Sequence, residues 1–227
     1  MIKISNVSKT FTLHNQGAAS IQVLHDVNLS VQSGECVALT GQSGSGKSTL
    51  MRLIYGNYKA QSGQIMVDNV DLVTAEAREV IRIRRDGLGY VSQFLRVVPR
   101  VPALQVVAEP LRAIGVAEEI ALERAAELLS RLNIPETLWS LSPTTFSGGE
   151  QQRVNIARGF AHPYPAMLLD EPTASLDPVN RAVVLDLILD AKKRGAAIVG
   201  IFHDTGARQQ ICDREIDVGQ FTAAEVA

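Results

Sequence analysis

The sequence contains few of the residues that cross-link small extracellular proteins: only two of its 227 residues are cysteine. Cys36 and Cys212 lie far apart in the chain, and neither belongs to a CxxC or Cys/His spacing. Disulfide frameworks and structural zinc sites use several closely spaced cysteines. We therefore expect two buried, reduced thiols in a cytoplasmic protein and no structural disulfide.

A strong charge of either sign and long apolar runs are also absent. The formal net charge is −2 and no block of basic residues occurs, so the chain has no electrostatic footprint for nucleic acid or an anionic membrane. No apolar run approaches the roughly 20 residues of a membrane-spanning helix, and the first residues lack a signal-peptide pattern. Any polyanion that binds must therefore be held by local geometry.

The periodicity of the apolar residues predicts one domain over residues 1–227 that mixes strands and helices. Residues 2–7 and 27–31 alternate like half-buried strands, which we expect to be antiparallel. Residues 35–40 form a short apolar run before a glycine-rich turn, and a helix is predicted from Lys47 to Tyr55.

The second half of the chain predicts a parallel sheet. Residues 166–169 and 196–202 resemble buried parallel strands. Between them, Asp177 and Pro178 form the start of a helix that basic residues close before Gly195. In such α/β sheets, ligands bind at the carboxyl ends of the strands.

The middle of the chain has helical periodicity only. No strand is evident between residues 102 and 133, and one apolar helix face comprises Ala121, Ala125, Leu128, Leu129 and Leu132. We expect residues 94–146 to be a helical subdomain inserted into an α/β core formed by residues 1–93 and 147–227.

A glycine-rich segment between the predicted strand and helix fits the phosphate-loop pattern GxxxxGK[ST]. Its glycines let backbone N–H groups approach a phosphate, Lys47 can reach the β- and γ-phosphates, and the Ser48 hydroxyl can bind Mg²⁺. A glycine-rich turn without function is the alternative. The predicted nucleotide-binding residues are Gly41, Gln42, Ser43, Gly44, Ser45, Gly46, Lys47, Ser48 and Thr49.

Two further motifs carry polar groups that suit phosphate chemistry. Asp170 and Glu171 end a buried strand, where one carboxylate can hold magnesium and the other can activate water. Ser147, Gly148 and Gly149 precede Glu150 in a pattern typical of a helix capping box. Two glycines in a first helical turn are unfavourable, and they suit a second phosphate site that contacts the ATP of another subunit.

The order of these motifs resembles the ABC ATPases over essentially the whole chain: the phosphate loop, SGGEQ at 147–151, LLDEPT at 168–173, SLD at 175–177 and His203-Asp204. The resemblance implies a P-loop NTPase fold with a RecA-like parallel core, an N-terminal antiparallel β subdomain and an inserted helical subdomain. It also implies hydrolysis of ATP with Mg²⁺ by a head-to-tail dimer, in which each ATP lies between one phosphate loop and the partner's signature serine and glycines.

The resemblance also implies roles for single residues, each with a simpler alternative. Phe11 matches the aromatic that stacks on adenine, or is a strand-end core residue. Gln93 matches the glutamine that joins the magnesium site to the helical subdomain, or is a surface polar residue. Asp177 matches an aspartate of the dimer interface, or is an N-cap only.

The resemblance makes Glu171 the catalytic carboxylate, Asp170 a magnesium-associated one and His203 the histidine that contacts the γ-phosphate. A histidine that ends a strand is otherwise structural. Structural roles are also expected for the remaining histidines, His14, His25 and His162.

Three stretches, residues 90–100, 145–160 and 194–204, resemble a narrower family, the PhnL-type ABC subunits of the bacterial carbon–phosphorus lyase system for phosphonate breakdown. That resemblance implies a homodimer or pairing with another ABC subunit, and the partners PhnG, PhnH, PhnI and PhnK. Arg96 and Arg100 are candidate partner contacts, or two solvated charges. The alternative function is the ATPase subunit of a membrane ABC transporter; a non-hydrolysing scaffold is disfavoured by Glu171 and His203.

Overall fold

The computed structural model describes residues 1–13 and 19–222. It contains a four-stranded antiparallel sheet and a five-stranded parallel sheet. The strands are β1 (Ile2–Leu13), β2 (Ala19–Val31), β3 (Cys36–Thr40), β4 (Ser62–Val67), β5 (Val70–Asp71), β6 (Leu88–Val91), β7 (Ala166–Asp170), β8 (Ala197–Ile201) and β9 (Arg214–Asp217). The predicted antiparallel opening of the chain and the later parallel strands are both confirmed.

Seven α-helices lie in the described part of the chain. They are α1 (Lys47–Ile54), α2 (Ala77–Asp86), α3 (Ala103–Ala113), α4 (Glu118–Arg131), α5 (Gly148–Ala161), α6 (Pro178–Lys193) and α7 (Thr205–Ile211). Short 3-10 helices cover Glu136–Leu138, Pro143–Thr145 and Val218–Phe221. The predicted helix after the glycine-rich turn is α1, and the predicted helix at Pro178 is α6. None of these helices combines the length and apolarity that crossing a membrane requires.

The order of the parallel sheet, β6-β7-β8-β3-β9, decides which loops meet. All strands run in the same direction, so their carboxyl ends lie along one edge. The phosphate-loop segment follows β3, Gln93 follows β6, Glu171 follows β7 and His203 follows β8. Four motifs that are distant in the sequence therefore emerge at the same edge.

The apolar residues form two cores on opposite faces of the parallel sheet. In β3, Val37 and Leu39 belong to the core shared with the antiparallel sheet and α1, whereas Cys36 and Ala38 belong to the core shared with α3 to α6. This alternation is the two-residue period of a strand buried on both faces.

Residues 94–146 contain α3, α4 and two 3-10 helices, and none of these residues lies in a strand. The predicted apolar face is confirmed, since Ala121, Ala125, Leu128, Leu129 and Leu132 are all buried. This face packs into the same core as α5 and one side of the parallel sheet. The boundaries of the region as a separate subdomain stay a prediction.

Candidate active site

The phosphate-loop segment has a backbone that only glycine accommodates at two positions. Gly41 has φ 126°, and a Cβ there would lie 2.7 Å from Ser45 Oγ and 2.8 Å from Asp217 Oδ1. Gly46 has φ 94°, and its Cβ would lie 2.9 Å from Leu24 Cδ2. A side chain at either position would displace the loop or its neighbours, so the glycines fix a tight turn between β3 and α1.

The Lys47 side chain stabilises this turn through hydrogen bonds to its carbonyl oxygens. Its Nζ donates to the carbonyl oxygens of Gly41 and Gln42 at 2.7 and 2.8 Å and lies 3.5 Å from Ser45 Oγ. No side chain caps the start of α1, which follows at once. A helix start without a cap leaves backbone N–H donors at its positive end, and with the lysine they form a site for an anion.

Asp170 ends β7 as a buried carboxylate. The residue is 8% exposed, and its Oδ2 accepts a hydrogen bond from the Tyr90 hydroxyl at 3.2 Å. Burial raises the pKa of Asp170, because desolvation disfavours the charged carboxylate, although the Tyr90 hydrogen bond acts in the opposite direction. A cation beside Asp170 would offset this cost.

The predicted magnesium residues meet at one cleft of about 800 Å³. Ser48, Gln93 and Asp170 all line it. A hydroxyl, an amide oxygen and a carboxylate are the hard oxygen donors that Mg²⁺ prefers, usually with several waters retained. The residues present therefore fit the ion.

Glu171 lies at the centre of a polar cluster that three strand ends bring together. Its Oε1 is hydrogen-bonded to His203 Nε2 at 2.7 Å, and its Oε2 accepts from Gln93 Nε2 at 3.4 Å. The Glu171 backbone is left-handed (φ 55°), and its N–H donates to the Ile201 carbonyl at the end of β8. A non-glycine residue in this conformation costs free energy, and such strain is common at functional sites. Glu171 thus contacts both other predicted catalytic residues, His203 and Gln93.

The SGGE motif forms the predicted capping box at the start of α5. The Ser147 N–H donates to Glu150 Oε2 at 2.8 Å, and the Glu150 N–H donates to Ser147 Oγ at 3.4 Å. The Ser147 hydroxyl also donates to Glu150, and this hydrogen bond lowers the pKa of Glu150. A Cβ at Gly148 would meet no atom within 4 Å, and one at Gly149 would lie 3.7 Å from Ser175 O. Packing within the described residues therefore explains neither glycine.

Asp177 caps the start of α6. Its carboxylate accepts from the N–H groups of Val179 and Asn180 at 2.9 and 3.0 Å, which is an N-cap of α6. The Asn180 backbone hydrogen bond lowers the pKa of this exposed carboxyl. The interface role of Asp177 stays a prediction.

Phe11 is partly exposed on β1, so it is not a buried core residue. Its ring packs edge-on against Tyr58, with the ring centroids 5.2 Å apart, and Lys9 Nζ lies 4.8 Å from the ring centroid. Phe11 pairs with Ile21 of β2, the strand that contacts Gly46 through Leu24. The ring therefore lies on the sheet that borders the phosphate loop, and its contact with adenine stays a prediction.

His25 and His162 have hydrogen-bond partners outside the Glu171 cluster. His25 is hydrogen-bonded to Gln22, and His162 to the Asp86 carbonyl. His14 lies outside the described residues. The His203 side chain differs, because it is 70% exposed and is hydrogen-bonded to Glu171.

Comparison with known proteins decides the family. The model of the family described as ABC transporter matches residues 24–174, about two thirds of the chain. The chain belongs to the ABC transporter family. It is an ATP-binding subunit of that family, and the predicted P-loop fold is confirmed.

Several relatives of this ABC ATPase cover nearly its whole length. The glutamine transport ATP-binding protein GlnQ of Geobacillus stearothermophilus is 36% identical over 94% of this chain and 87% of its own. The lipoprotein-releasing system ATP-binding protein LolD of Legionella pneumophila is 37% identical over 91% of this chain and 89% of its own. A dimeric structure of the ATP-binding cassette MJ0796 bound to ADP and Pi superposes with a TM-score of 0.87 at 32% identity, covering 96% of this chain and 95% of that one.

Two residues near the site were not found by sequence reasoning. Tyr90 donates to Asp170, and Asp217 Oδ1 lies where a side chain at position 41 would be. Neither belongs to a motif with a fixed spacing. The register of β6 against β7 and of β3 against β9 places them, and that register is visible only in the folded chain.

Proposed function

We propose that this ABC ATPase hydrolyses ATP to ADP and phosphate through dimer closure and reopening, as a cytoplasmic subunit of the carbon–phosphorus lyase machinery for phosphonate breakdown. The Glu171 cluster is the observation that carries the hydrolytic part. A carboxylate hydrogen-bonded to both a histidine and a glutamine is held in one orientation, as a base that acts on water requires. ATP supplies the phosphoryl group, and Mg²⁺ supplies positive charge that offsets the phosphates.

Each residue of the site has a role in this proposal. Lys47 and the loop N–H groups bind and orient the phosphates, while Ser48, Asp170 and Gln93 hold the metal. Glu171 accepts a proton from water, and His203 orients Glu171 and contacts the γ-phosphate. The half-buried Tyr90 donates its hydroxyl to the Asp170 carboxylate and keeps it in place.

In the proposed dimer, each subunit contacts the nucleotide of its partner through Ser147, Gly148 and Gly149. Packing within the described chain does not require glycine at either position, and the N-terminus of α5 presents N–H donors. The dimeric MJ0796 structure with ADP and Pi supports this arrangement, since it superposes over 96% of this chain.

The assembly that the ATPase drives, called its client below, is inferred from the local resemblance of residues 90–100, 145–160 and 194–204 to PhnL-type subunits. The partners in this proposal are PhnG, PhnH, PhnI and a second ABC subunit, PhnK. A membrane transporter is the competing client, and the names of GlnQ and LolD favour it. In either case, closure and reopening of the ATPase dimer would drive the client.

The 800 Å³ cleft beside Gln93 is the proposed contact surface for either client. Arginine side chains dominate its charge, and Phe94 at its rim is 71% exposed. Arg96 lines the cleft, whereas Arg100 lies outside its lining. The cleft arginines are Arg52, Arg84, Arg85, Arg96 and Arg158. An exposed aromatic among guanidinium groups suits a partner segment that carries carboxylates.

Hydrogen bonds join this cleft to both halves of the ATP site. Gln93 contacts Glu171, while the neighbouring Ser92 carbonyl accepts from Asn155 Nδ2 at 2.6 Å. The Arg96 carbonyl accepts from Arg158 at 3.2 Å. Asn155 and Arg158 belong to α5, which begins at the SGGE motif. A shift of α5 on dimer closure would therefore move the rim of the cleft.

Affinity purification of the tagged protein from its native cells tests the client. Co-purification of the phosphonate-lyase subunits supports the proposal, and recovery of a polytopic membrane protein in their place overturns it. The double variant Arg96→Ala with Arg100→Ala should lose the co-purifying subunits but keep ATP binding. The matched control, Arg78→Ala with Arg82→Ala on α2, removes the same charge elsewhere; loss in both variants, or in neither, contradicts the contact assignment.

A further inference from the structure

The two cysteines, which are 176 positions apart in the chain, lie side by side in the fold. Their Sγ atoms are 3.7 Å apart, and both thiols are free. Cys36 starts β3 and is fully buried, whereas Cys212 follows α7 and is partly exposed. The expected burial is found for Cys36, whereas Cys212 is partly exposed.

Two hydrogen bonds between Cys36 and Asp213, the residue after Cys212, hold the two cysteine-bearing segments together. The Asp213 N–H donates to the Cys36 carbonyl at 2.8 Å, and the Cys36 N–H donates to Asp213 Oδ2 at 2.8 Å. The ladder between β3 and β9 begins at the next residues, where Val37 pairs with Arg214. A disulfide needs the sulfurs to come about 1.7 Å closer, to a bond of about 2.05 Å.

The surroundings make Cys212 the more reactive thiol. The Cys36 thiol hydrogen bond lowers the pKa of Cys212, and the charge of Lys192 lowers it further, while burial opposes both. The same pairing and its own burial raise the pKa of Cys36. The Lys192 ammonium is fixed nearby, because it donates to the Ile211 carbonyl at 2.7 Å and pairs with Asp213 at 2.9 Å. A thiolate that is partly exposed beside a cation is the form that peroxides oxidise.

We propose that Cys36 and Cys212 form a reversible intramolecular disulfide when a hydroperoxide reaches Cys212. The Cys212 thiolate attacks one peroxide oxygen, the O–O bond breaks, and a sulfenic acid and hydroxide result. The Cys36 sulfur then displaces the sulfenic OH, which leaves as water with the Cys36 proton. The hydroxide of the first step takes up the proton that the Cys212 thiol released and becomes the second water. In sum, two thiols and one hydrogen peroxide give one disulfide and two waters. A dithiol reverses the change.

The disulfide would link two segments, β3 and α7, that each have one end at the active-site edge of the sheet. β3 runs from Cys36 into the phosphate loop, and α7 runs from the His203-Asp204 segment to Cys212. β9, an edge strand of the parallel sheet, follows immediately. The disulfide would join the start of β3 to the start of β9, at the sheet end opposite the nucleotide. It would restrict opening of α7 and β9 without placing any atom in the site.

The test is stoichiometric oxidation of the purified full chain with hydrogen peroxide, followed by mass spectrometry. We expect a mass loss of two hydrogen atoms, a Cys36–Cys212 cross-linked peptide that dithiothreitol cleaves, and slower hydrogen exchange in α7 and β9. The apparent Tm should rise by roughly 5 °C or more, since the bridge closes a long loop. A protein that gains oxygen at Cys212 without a bridge, or that cross-links only between molecules, overturns the proposal.

Single variants separate the two thiols. Cys36→Ala should leave Cys212 to accumulate as a sulfenic acid that a dimedone probe captures, whereas Cys212→Ala should leave Cys36 unmodified. Cys212→Ala changes a partly exposed position, so it remains informative even if Cys36→Ala, in the core, folds poorly. Equal dimedone labelling of wild type and Cys36→Ala would also overturn the proposal, because Cys36 would then not resolve the sulfenic acid.

Discussion

His203 Nε2 lies 2.7 Å from Glu171 Oε1, and this contact joins the ends of two adjacent parallel strands. The Glu171 backbone N–H reinforces the junction by donating to the Ile201 carbonyl. The left-handed backbone of Glu171 directs its side chain towards both His203 and Gln93. The carboxylate is thereby fixed in position before any substrate binds.

Glu171→Gln tests the catalytic role of this carboxylate. The amide keeps the size and can still hydrogen-bond to its neighbours, but it cannot accept a proton from water. We expect ATP hydrolysis to fall by about 10²–10⁴-fold, the usual contribution of a positioned base, while ATP binding persists. The turnover rate and the sedimentation of the protein with ATP are the measurements, and a dimer should accumulate.

The control for this variant is Glu123→Gln, which changes an exposed glutamate of α4 in the same way. It should hydrolyse ATP at the wild-type rate. If Glu171→Gln retains full turnover, or stays monomeric at saturating ATP, the assigned role of Glu171 is wrong.

Lys47→Ala removes the cation inside the phosphate loop. Hydrogen bonds to charged groups contribute about 1.5–3 kcal/mol, so ATP affinity should fall by at least about 10-fold. Isothermal titration with a non-hydrolysable ATP analogue and Mg²⁺ measures the loss. Lys193→Ala is the matched control, because the Lys193 side chain is 78% exposed and its ion-pair distance to Asp190 is 3.9 Å. Unchanged affinity in Lys47→Ala would contradict the phosphate site.

Gly148→Ala separates the fold of the monomer from assembly of the dimer. A methyl group at this position meets no atom of the described chain within 4 Å, and alanine is favoured over glycine in a helix by up to about 1 kcal/mol. The monomer should therefore keep or slightly raise its Tm. In the proposed dimer the methyl group would lie against the partner's nucleotide, so ATP-dependent dimerisation and hydrolysis should both decrease.

Gly87→Ala provides the control for that variant, since a Cβ at Gly87 would lie 3.5 Å or more from its neighbours, an ordinary contact distance. It should not change ATP-dependent dimerisation. Normal dimerisation and turnover of Gly148→Ala would argue against the second phosphate site at the α5 N-terminus.

We expect Asp170→Asn to make the nucleotide-free fold more stable and to impair the magnesium site. Burial raises the folded-state pKa of Asp170 above the unfolded value, so the folded state binds the proton more tightly. The free energy of unfolding of the wild type therefore falls as the pH rises from the unfolded-state pKa of Asp170 through its folded-state pKa. At pH 7 the full cost of a buried charge is present. The amide avoids this cost and can still accept from Tyr90.

We therefore expect the nucleotide-free Asp170→Asn variant to have a higher Tm than the wild type at pH 7, by about 2–4 °C per kcal/mol. The difference should shrink as the pH is lowered below about 4, because aspartate then becomes protonated in the unfolded state as well as in the folded state. The variant should also lose the extra thermal stabilisation that Mg²⁺ adds to ATP. A lower Tm at pH 7 would show that the carboxylate stabilises the apo fold.

The sequence by itself determined the local elements and the motifs. The GxxxxGK[ST] spacing, the Ser147–Glu150 capping box and the Pro178 helix start depend on contacts within a few residues, so their geometry follows from local chemistry. The alternation of apolar residues likewise determined the strands, because burial on two faces leaves a two-residue period.

Only the tertiary structure decided what the motifs contact. The order β6-β7-β8-β3-β9 brings Gln93, Glu171 and His203 together, and no local pattern encodes that order. The same cause places the Cys36 and Cys212 sulfurs 3.7 Å apart, although their spacing in the sequence gave no sign of a pair. Strand register acts over more than a hundred residues, and it is set by how the two cores pack and not by neighbours in the chain.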